Sequence, residues 1–274
     1  MGMITERENR AAETVPLIQS RHHPVARRLA DVLRSRAARP TVFVLDDAEN
    51  IEQAVTSGIV LDSVYATESA RVSGAPTPVG IGPEVPSYVL GDGVAQSLFG
   101  SQKRSRVFAL AQAPRPSRLS DLVGAAGDII VLDGVRIVGN IGAITRTASA
   151  LAAAGIVLID SGLTTILDRR LIRASRGLVF ATPLVLASRQ ECTAFLRREE
   201  TAVAALSPRA VEPLHSIRTV SEQLALVLGG ERGGVSPELH ALTRYRYQIP
   251  VAAPVESLNV SVAAGIALYE HHTG

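Results

Sequence analysis

The chain has 274 residues, of which 46% are apolar and 20% charged, and its net charge is +2 at pH 7, an ordinary globular composition that suffices for one large domain or two modest ones. It contains no apolar run of about 20 residues, and its charged N-terminus lacks the apolar block of a secretory signal, so we expect a cytoplasmic protein without a membrane partner. Because Cys192 is the single cysteine, no intrachain disulfide can form, and we expect a buried or incidental thiol and no metal site.

The segment 21–40 predicts a helix with an arginine-rich surface. Its apolar stripe consists of Val25, Leu29, Val32 and Leu33. Six arginines lie on its other faces, Arg27 and Arg28 among them, and Asp31 alone opposes them. Two interpretations stay open for these arginines, a solvated helix face or a surface that contacts phosphates. A second basic cluster precedes the last strand of this region and consists of Lys103, Arg104 and Arg106.

Strands and helices alternate through the rest of the first 112 residues. The predicted strands are 41–47, 59–68, 85–92 and 107–112, with a short helical pattern at 49–58. The next segment, APRPSRLSD, holds two prolines among polar residues and is the best linker candidate. The predicted organisation is therefore an N-terminal domain at 1–112, a linker at 113–121 and a C-terminal domain at 122–274.

Beyond the linker the alternation becomes regular. The predicted strands are 127–134, 156–161, 182–187, 201–206, 224–231 and 247–251. The predicted helices are 140–155, 166–177, 189–200, 236–244 and a last helix from Leu258. Since the strands are nearly continuous apolar runs, this pattern predicts an α/β fold with a parallel sheet covered on both faces.

The last helix begins at an unusually polar segment. Its expected buried face consists of Leu258, Val262, Ile266 and Tyr269, which recur at helical spacing. Ser257, Asn259 and Ser261 crowd the start of the same helix. Such side chains either cap the free backbone N–H groups of the helix or serve another purpose.

Three loops that follow strands are rich in glycine and polar residues, and in a parallel sheet such loops build the ligand crevice. They occupy 131–148, 226–234 and 249–259. The first resembles a dinucleotide-binding loop, with Asp160 at a plausible distance for a ribose contact, but its glycines do not give G-x-G-x-x-G. The second lacks the lysine and hydroxyl of a Walker loop. The pairs His22–His23 and His271–His272 form no catalytic arrangement, and we expect solvated chain positions for both.

Together, the stretches NIGAITRTA, LGGERGG and IP…VESLNVSVAAGIALYEH resemble, in order and spacing, the three motifs of the SPOUT-class, TrmH-like RNA ribose methyltransferases. The resemblance covers positions 128–274. More narrowly, IIVLDGVRIVGNIGAITRTA and LDRRLIRASRGLVFATPLVL resemble the thiostrepton- and nosiheptide-resistance methyltransferases of actinomycetes. The resemblance implies a C-terminal SPOUT parallel sheet with a deep trefoil knot, preceded by a smaller L30e-like α/β RNA-binding domain.

The resemblance also implies a cofactor, S-adenosylmethionine, bound in the knot mostly by backbone groups. Carried over to this chain, the cofactor contacts are Leu206, Gly229, Gly230, Glu231, Ile249 and Leu258, with Arg146 and Arg176 on the methionine and substrate side. Glycine at 229 and 230 would let a flat ring approach the backbone, although these glycines could also simply end a strand.

The implied catalytic residues are Asn140, Arg146, Glu231, Ser257 and Asn259. Similar enzymes assign removal of the ribose proton to the arginine of the first motif, but a guanidinium is always protonated and cannot accept a proton. We therefore expect Arg146 to hold a phosphate or the developing oxyanion, with the polar side chains positioning it and the ribose. Glu231 could orient an arginine, face the cofactor or form a structural ion pair.

The implied substrate is an adenosine in the GTPase-associated centre of large-subunit (23S) ribosomal RNA. Methylation of its 2′-hydroxyl would confer resistance to thiopeptide antibiotics. We expect a homodimer whose N-terminal domains grip folded RNA through Arg27, Arg28, Lys103, Arg104 and Arg106. Two alternatives stay open, a nicotinamide-dependent oxidoreductase that uses Asp160 and a non-catalytic rRNA-binding protein.

Overall fold

The computed structural model describes residues 15–35, 37, 39–74, 78–100, 106–230 and 233–273. They form two compact units, of which the first comprises the described residues up to Ile51 and Val60–Gln112. The second comprises Glu52–Ile59 and the described residues from Ala113 onward. Within these ranges, every helix is too short or too polar to cross a membrane.

The first unit is built on a mixed sheet. Its elements are β1 (Leu17–Ile18), α1 (Pro24–Arg34), β2 (Val42–Asp46), the start of α2 (Ala48–Thr56), β3 (Leu61–Thr67), α3 (Glu68–Val72), β4 (Ser87–Leu90), α4 (Asp92–Phe99) and β5 (Val107–Gln112). The residues of α2 from Glu52 onward belong to the second unit. The described strands lie in the order β1-β4-β3-β5-β2, and β5 runs antiparallel to both of its neighbours. The sequence predicted β2 to β5, α1 and α2; it missed β1, α3 and α4, which are short.

Helix α1 confirms the amphipathic pattern. Pro24 occupies its first turn, where a missing N–H costs nothing, and the His23 side chain caps it by accepting from the backbone N of Val25 at 3.3 Å. Leu29 is fully buried in the core of the first unit. The other members of the stripe, which pack against that core, are Val25, Val32 and Leu33.

The second unit is built on a parallel sheet. Its elements are β6 (Ile129–Asp133), α5 (Val138–Ala150), β7 (Gly155–Ile159), α6 (Arg169–Ala174), β8 (Leu184–Leu186), α7 (Arg189–Arg198), β9 (Ala202–Leu206), β10 (Glu212–Pro213), β11 (Leu224–Gly229), α8 (Pro237–His240), β12 (Thr243–Gln248) and α9 (Val260–His272). Among the described residues, 3₁₀ helices lie at Leu119–Leu122, Leu178–Phe180 and Leu214–Thr219. The described strands lie in the order β10-β12-β9-β11-β6-β7-β8, and all their pairings are parallel. This confirms the predicted α/β class.

The central strands explain the continuous apolar runs in the sequence. Every residue of β6 and β7 is buried, because helices cover both faces of a parallel sheet. Among these residues, Asp133 is the one charged side chain, and it ends β6 with 2% of its surface exposed. A carboxylate at that depth requires hydrogen-bonding partners.

Helix α8 and strand β12 depart from the sequence prediction. The expected helix at 236–244 ends at His240, and the strand expected at 247–251 already begins at Thr243. Residues 243–248, TRYRYQ, alternate in side-chain exposure and pair with β9. The β-forming threonine and tyrosines, together with this pairing, outweigh the helical pattern.

The predicted buried face of the last helix is wrong. Helix α9 begins at Val260, and its buried residues are Val260, Ala264, Ala267 and Leu268. Val262 and Tyr269, which were expected inside, are 49% and 56% exposed. The small residues lie inward because α9 packs closely on α5, where Gly265 lies opposite Thr147. Val260 and Leu268 belong to the same buried face, whereas Val262 and Tyr269 face outward.

Candidate active site

Three of the predicted cofactor positions lie at the carboxyl ends of neighbouring strands. Leu206 ends β9, Gly229 ends β11, and Ile249 directly follows β12. Since β9 pairs with both other strands, these positions converge on one edge of the sheet although they are far apart in the chain. Leu206, Ile249 and Leu258 are half-buried. Apolar side chains beside strand-end backbone groups fit a cofactor held mainly by the main chain.

The glycines at 229 and 230 have a steric reason inside the protein. A Cβ on Gly229 would overlap the backbone of Gly234, and one on Gly230 would overlap the carbonyl oxygen of Gly134. The Gly230 N–H donates to the Asp133 carbonyl at 2.8 Å, and the Gly234 N–H donates to the Gly230 carbonyl at 2.9 Å. Close packing of this loop therefore requires glycine whether or not a ring also approaches it. Glu231 lies outside the described residues.

The first and third motifs meet through two asparagines. Asn140 lies in the first turn of α5, and Asn259 caps α9 by accepting from the Ser261 N–H at 2.8 Å. The Asn259 side-chain amide donates to Oδ1 of Asn140 at 3.2 Å. The polar start of α9 thus caps the helix and ties it to α5. Ser257 lies just before this cap and is exposed.

Arg146 lies on the exposed side of α5, one turn beyond Gly142. Among the described residues it has no hydrogen-bond or ion-pair partner, so its charge is available to an added anionic group. Gly142 lets α5 approach α6, because a Cβ there would overlap Ala174. Arg176, the other predicted arginine, follows α6 in a left-handed backbone conformation with φ +51° and is also exposed.

A network that the sequence analysis missed lies at the same edge of the sheet. One nitrogen of Arg189, Nη2, donates to Oδ1 of Asp133 and to Oδ2 of Asp160, both at 2.8 Å. The other Asp133 oxygen accepts from the Ser236 N–H at 2.7 Å. The hydrogen bonds of Arg189 to the two aspartates, that to Asp133 above all, raise its pKa, and a guanidinium is in any case always charged. The sequence signal of this network was an aspartate at the end of each of two apolar strands, Asp133 and Asp160.

An open cleft of about 560 Å³ lies above this network. Its lining includes Val135, Arg136, Ile137, Asn140, Asp160 and Val260, together with glycines of the loop after β11. Two buried polar atoms at its margin, Nε of Arg189 and Oγ of Ser236, have no hydrogen-bond partner among the described residues. Buried polar atoms without partners are uncommon and are often satisfied by a water or a ligand.

The opposite end of the sheet corrects the expectation for His271. This residue is not a solvated chain position: its side chain is 11% exposed, and Nδ1 lies 2.6 Å from Oδ2 of Asp128. Its Nε2 lies 2.9 Å from the Val220 carbonyl oxygen, which can only accept a hydrogen bond. The hydrogen bond to Asp128 is the main reason why the pKa of His271 is raised.

Two further predictions concern reactive groups. Cys192 is buried, as expected, and burial raises the pKa of its thiol to about 12, so it is no nucleophile near neutral pH. Within the part of the chain that the structure describes, no three His, Cys, Asp or Glu side chains are arranged to hold a metal ion.

The predicted RNA-binding residues of the first unit are only partly described. Arg27, Arg28 and Arg106 are exposed, and Arg28 forms an ion pair with Asp62 at 2.9 Å. Lys103 and Arg104 lie outside the described residues. The ion pair of Arg28 is on the surface and thus weak, so it does not prevent a phosphate contact.

Comparisons with known proteins agree with this geometry. Residues 128–269 match the SpoU rRNA Methylase family, and residues 15–125 match the family of the thiostrepton-resistance methylase N terminus. A 23S rRNA (adenosine(1067)-2′-O)-methyltransferase of Streptomyces laurentii is 40% identical over 92% of this chain and 94% of its own length. A protein of the same name from Streptomyces azureus is 36% identical over 90% of this chain and 92% of its own length.

The fold also matches solved structures. The AdoMet-bound rRNA methyltransferase from Sinorhizobium meliloti aligns with a TM-score of 0.75 at 23% identity, over 94% of this chain and 97% of that one. At this identity the likeness concerns the fold, and it confirms the expected architecture. The trefoil knot itself stays a prediction, as do the L30e-like character of the first unit and the individual roles of the site residues.

Proposed function

Because this chain belongs to the SpoU rRNA methylase family, we propose that it transfers a methyl group from S-adenosylmethionine to the 2′-hydroxyl of an adenosine in 23S rRNA. The observation that carries the proposal is the 40% identity to a methyltransferase of that specificity over nearly the whole chain. The convergence of three motif loops at one edge of the sheet supports it. The predicted nicotinamide alternative has less support, since Asp160 is held by Arg189.

The cofactor would lie at the ends of β9, β11 and β12. Leu206, Ile249 and Leu258 would pack against its apolar parts, and the backbone at Gly229 and Gly230 would provide hydrogen bonds. When bound, S-adenosylmethionine supplies a methyl group on a positively charged sulfur. Half-buried apolar side chains around that position would exclude water from the reaction.

Arg146 would act on the ribose side. A 2′-hydroxyl is a poor nucleophile at neutral pH, so the site must stabilise the negative charge that develops as its proton leaves. Arg146 is exposed, permanently charged and without a partner among the described residues, so it would hold that oxyanion or the neighbouring phosphate. The hydrogen bond between Asn140 and Asn259 would fix the start of α5, and Arg176, Ser257 and Glu231 would complete the site.

We further propose that the target adenosine lies in the GTPase-associated centre and that its methylation confers resistance to thiopeptide antibiotics such as thiostrepton and nosiheptide. The match of residues 15–125 to the thiostrepton-resistance methylase N terminus supports this assignment. The basic residues of the first unit, Arg27, Arg28 and Arg106 with Lys103 and Arg104, would contact phosphates of the folded RNA.

The protein would act as a homodimer that buries the outer face of α9. That face exposes Val262 and Tyr269, two large apolar side chains seven residues apart on one side of the helix. Exposed apolar patches on a folded unit commonly mark an interface.

Val262→Asp should convert the dimer into a monomer, as measured by light scattering after size-exclusion chromatography. Val211→Asp, at a position that is 95% exposed in a loop, is the control, and an equal mass for both variants would contradict this interface.

The central experiment incubates the protein with a transcript of the GTPase-associated RNA and S-adenosylmethionine labelled in its methyl group. We expect one labelled adenosine, mapped to its 2′-oxygen by reverse-transcription stops. Label on a base would overturn the ribose assignment. Binding of both RNA and S-adenosylmethionine without transfer would favour the non-catalytic alternative, and binding of NAD without S-adenosylmethionine would favour the oxidoreductase.

A further inference from the structure

The cleft above β6 and β7 is separate from the strand ends assigned to the cofactor but shares a loop with them. Gly230 and Gly234 line it on one side, directly after the strand that Gly229 ends. Its apolar walls are Val135, Ile137 and Val260. A volume of about 560 Å³ lies in the range of small-molecule sites, so the cleft could hold one nucleoside.

The charges of the described residues that line the cleft cancel one another. The aspartates at 133 and 160 face two arginines, since Arg189 bridges both carboxylates and Arg136 Nε donates to the Asp160 carbonyl at 3.1 Å. A balanced set of charges does not favour a free anion such as a phosphate. It suits a neutral, planar group that offers hydrogen bonds, as a nucleobase does.

Asp160 is the carboxylate that such a base would meet. Its side chain is 54% exposed and lines the cleft, while Arg189 holds one of its oxygens. Its backbone adopts a left-handed conformation with φ +49°, directly after β7. Strained backbone of this kind is concentrated at functional sites, and aspartate is among the residues that tolerate it. The two arginine contacts fix both the backbone and the carboxylate of this residue.

We propose that the cleft receives the base of the target nucleotide and that Asp160 selects adenine by accepting a hydrogen bond from its 6-amino group. This inference rests on the proposed rRNA methyltransferase function. An ionised carboxylate can only accept hydrogen bonds. Adenine presents an amino donor at position 6, whereas guanine presents a carbonyl acceptor that the carboxylate would repel. A base that is turned out of its stack exposes this edge to a pocket.

The first test needs no protein variant. The unaltered enzyme is compared on two transcripts that carry either adenosine or purine riboside, which lacks the 6-amino group, at the target position. We expect kcat/KM to fall about 10- to 100-fold on the second transcript, the usual effect of losing a hydrogen bond to a charged group. Equal values on both transcripts would overturn the role of Asp160.

The second test uses Asp160→Asn, whose amide can donate to the guanine carbonyl. Its preference for an adenosine over a guanosine transcript should fall about 10- to 100-fold relative to the unaltered enzyme, while its affinity for S-adenosylmethionine is unchanged by calorimetry. Asp47→Asn is the matched control, because Asp47 also follows a strand with a positive φ, of 68°, but lies in the first unit. It should keep the original preference.

The outcomes separate the inference from the function on which it rests. If the unaltered enzyme labels no ribosomal adenosine, the proposed function fails. If it labels adenosine but Asp160→Asn, with normal cofactor affinity, keeps the original preference for adenosine, only the role of Asp160 fails.

Discussion

The two ends of β6 carry matching aspartates with different surroundings. At the amino end, Asp128 accepts from the Leu224 N–H at 2.9 Å and pairs with His271. At the carboxyl end, Asp133 accepts from the Ser236 N–H at 2.7 Å and pairs with Arg189. In both places, a buried carboxylate joins β6 to a backbone N–H of a distant segment and to a cationic side chain.

The difference lies in how completely the partners are satisfied. Both ring nitrogens of His271 have a hydrogen-bond partner, since the second faces the Val220 carbonyl. At the carboxyl end, Nε of Arg189 and Oγ of Ser236 have none among the described residues, and an open cleft lies beside them. The same pairing of a buried carboxylate with a cationic side chain thus stabilises the fold at the amino end of β6 and forms part of a site at the carboxyl end. The pairing at the amino end depends on His271, which can lose its proton, whereas the pairing at the carboxyl end depends on Arg189, which cannot.

Among the variants that distinguish the two ends of β6, Arg146→Ala should have the largest effect. Arg146 lies on the helix that leaves the carboxyl end of β6, and removing one donor that stabilises transition-state charge typically lowers kcat by about 10²- to 10³-fold. The measurement is methyl transfer to ribosomal RNA at saturating cofactor, with circular dichroism to verify the fold. Arg197→Ala is the control, because Arg197 is also exposed but lies in the last turn of α7. Similar activity of both variants would contradict the role of Arg146.

Neutralising the two aspartates should destabilise the protein unequally. Asp133→Asn should lower the free energy of unfolding by about 2 kcal/mol, since Arg189 cannot lose its charge. Asp128→Asn should cost about 1 kcal/mol at pH 7.5, because His271 can release its proton when its partner is neutral. Urea denaturation followed by circular dichroism measures both values. A larger loss for Asp128→Asn at this pH would show that the amino end is the more strongly coupled one.

The stability that the pair of His271 and Asp128 contributes at the amino end of β6 should depend on pH. Because the folded pKa of His271 is raised above its ordinary value of 6.5, chiefly by Asp128, its charge stabilises the fold fully below that value. This contribution is lost as the pH rises through the folded pKa. The stability advantage of the unaltered protein over His271→Gln should therefore shrink between pH 5.5 and pH 9, as urea midpoints would measure. A constant advantage would mean that the imidazolium contributes nothing beyond packing.

The smallest expected effect concerns Cys192, which lies one turn after Arg189 on α7. With its thiol buried and its pKa raised to about 12, labelling by a maleimide at pH 7.5 should be very slow in the native protein. Asp133→Asn should accelerate labelling more than Asp128→Asn, since it loosens the start of the same helix. Equal acceleration would indicate that both variants act through global unfolding alone.

The local pattern of apolar and polar residues was sufficient to predict most of the fold. Continuous apolar runs predicted β6, β7, β9 and β11, because a strand buried on both faces needs apolar residues at every position. The pattern failed at α9, because Leu258 precedes the helix, Ile266 is half-buried, and Val262 and Tyr269 are exposed. Helical spacing indicates that the faces of a helix differ, but it does not indicate which face a neighbour covers when a second face, here with two alanines, also packs well.

The candidate site was predicted unevenly. Asn140 and Asn259 were both named from the motifs, and they are in contact. The bridge from Arg189 to Asp133 and Asp160 was missed, because its members belong to three separate segments and the motifs did not indicate that they meet. The partner of His271 was missed for the same reason, since Asp128 is 143 positions away along the chain.

The amino-acid sequence by itself determined the α/β class, the order of the main strands and the three loops with chemistry, because these depend on periodicity and on residues near one another in the chain. The tertiary structure alone decided which strands are neighbours, and therefore which loops converge. It also decided that Asp128 pairs with His271, whereas Asp133 pairs with Arg189 beside an open cleft. Buried charges must find partners wherever the packed chain provides them, and that pairing has no fixed spacing along the sequence.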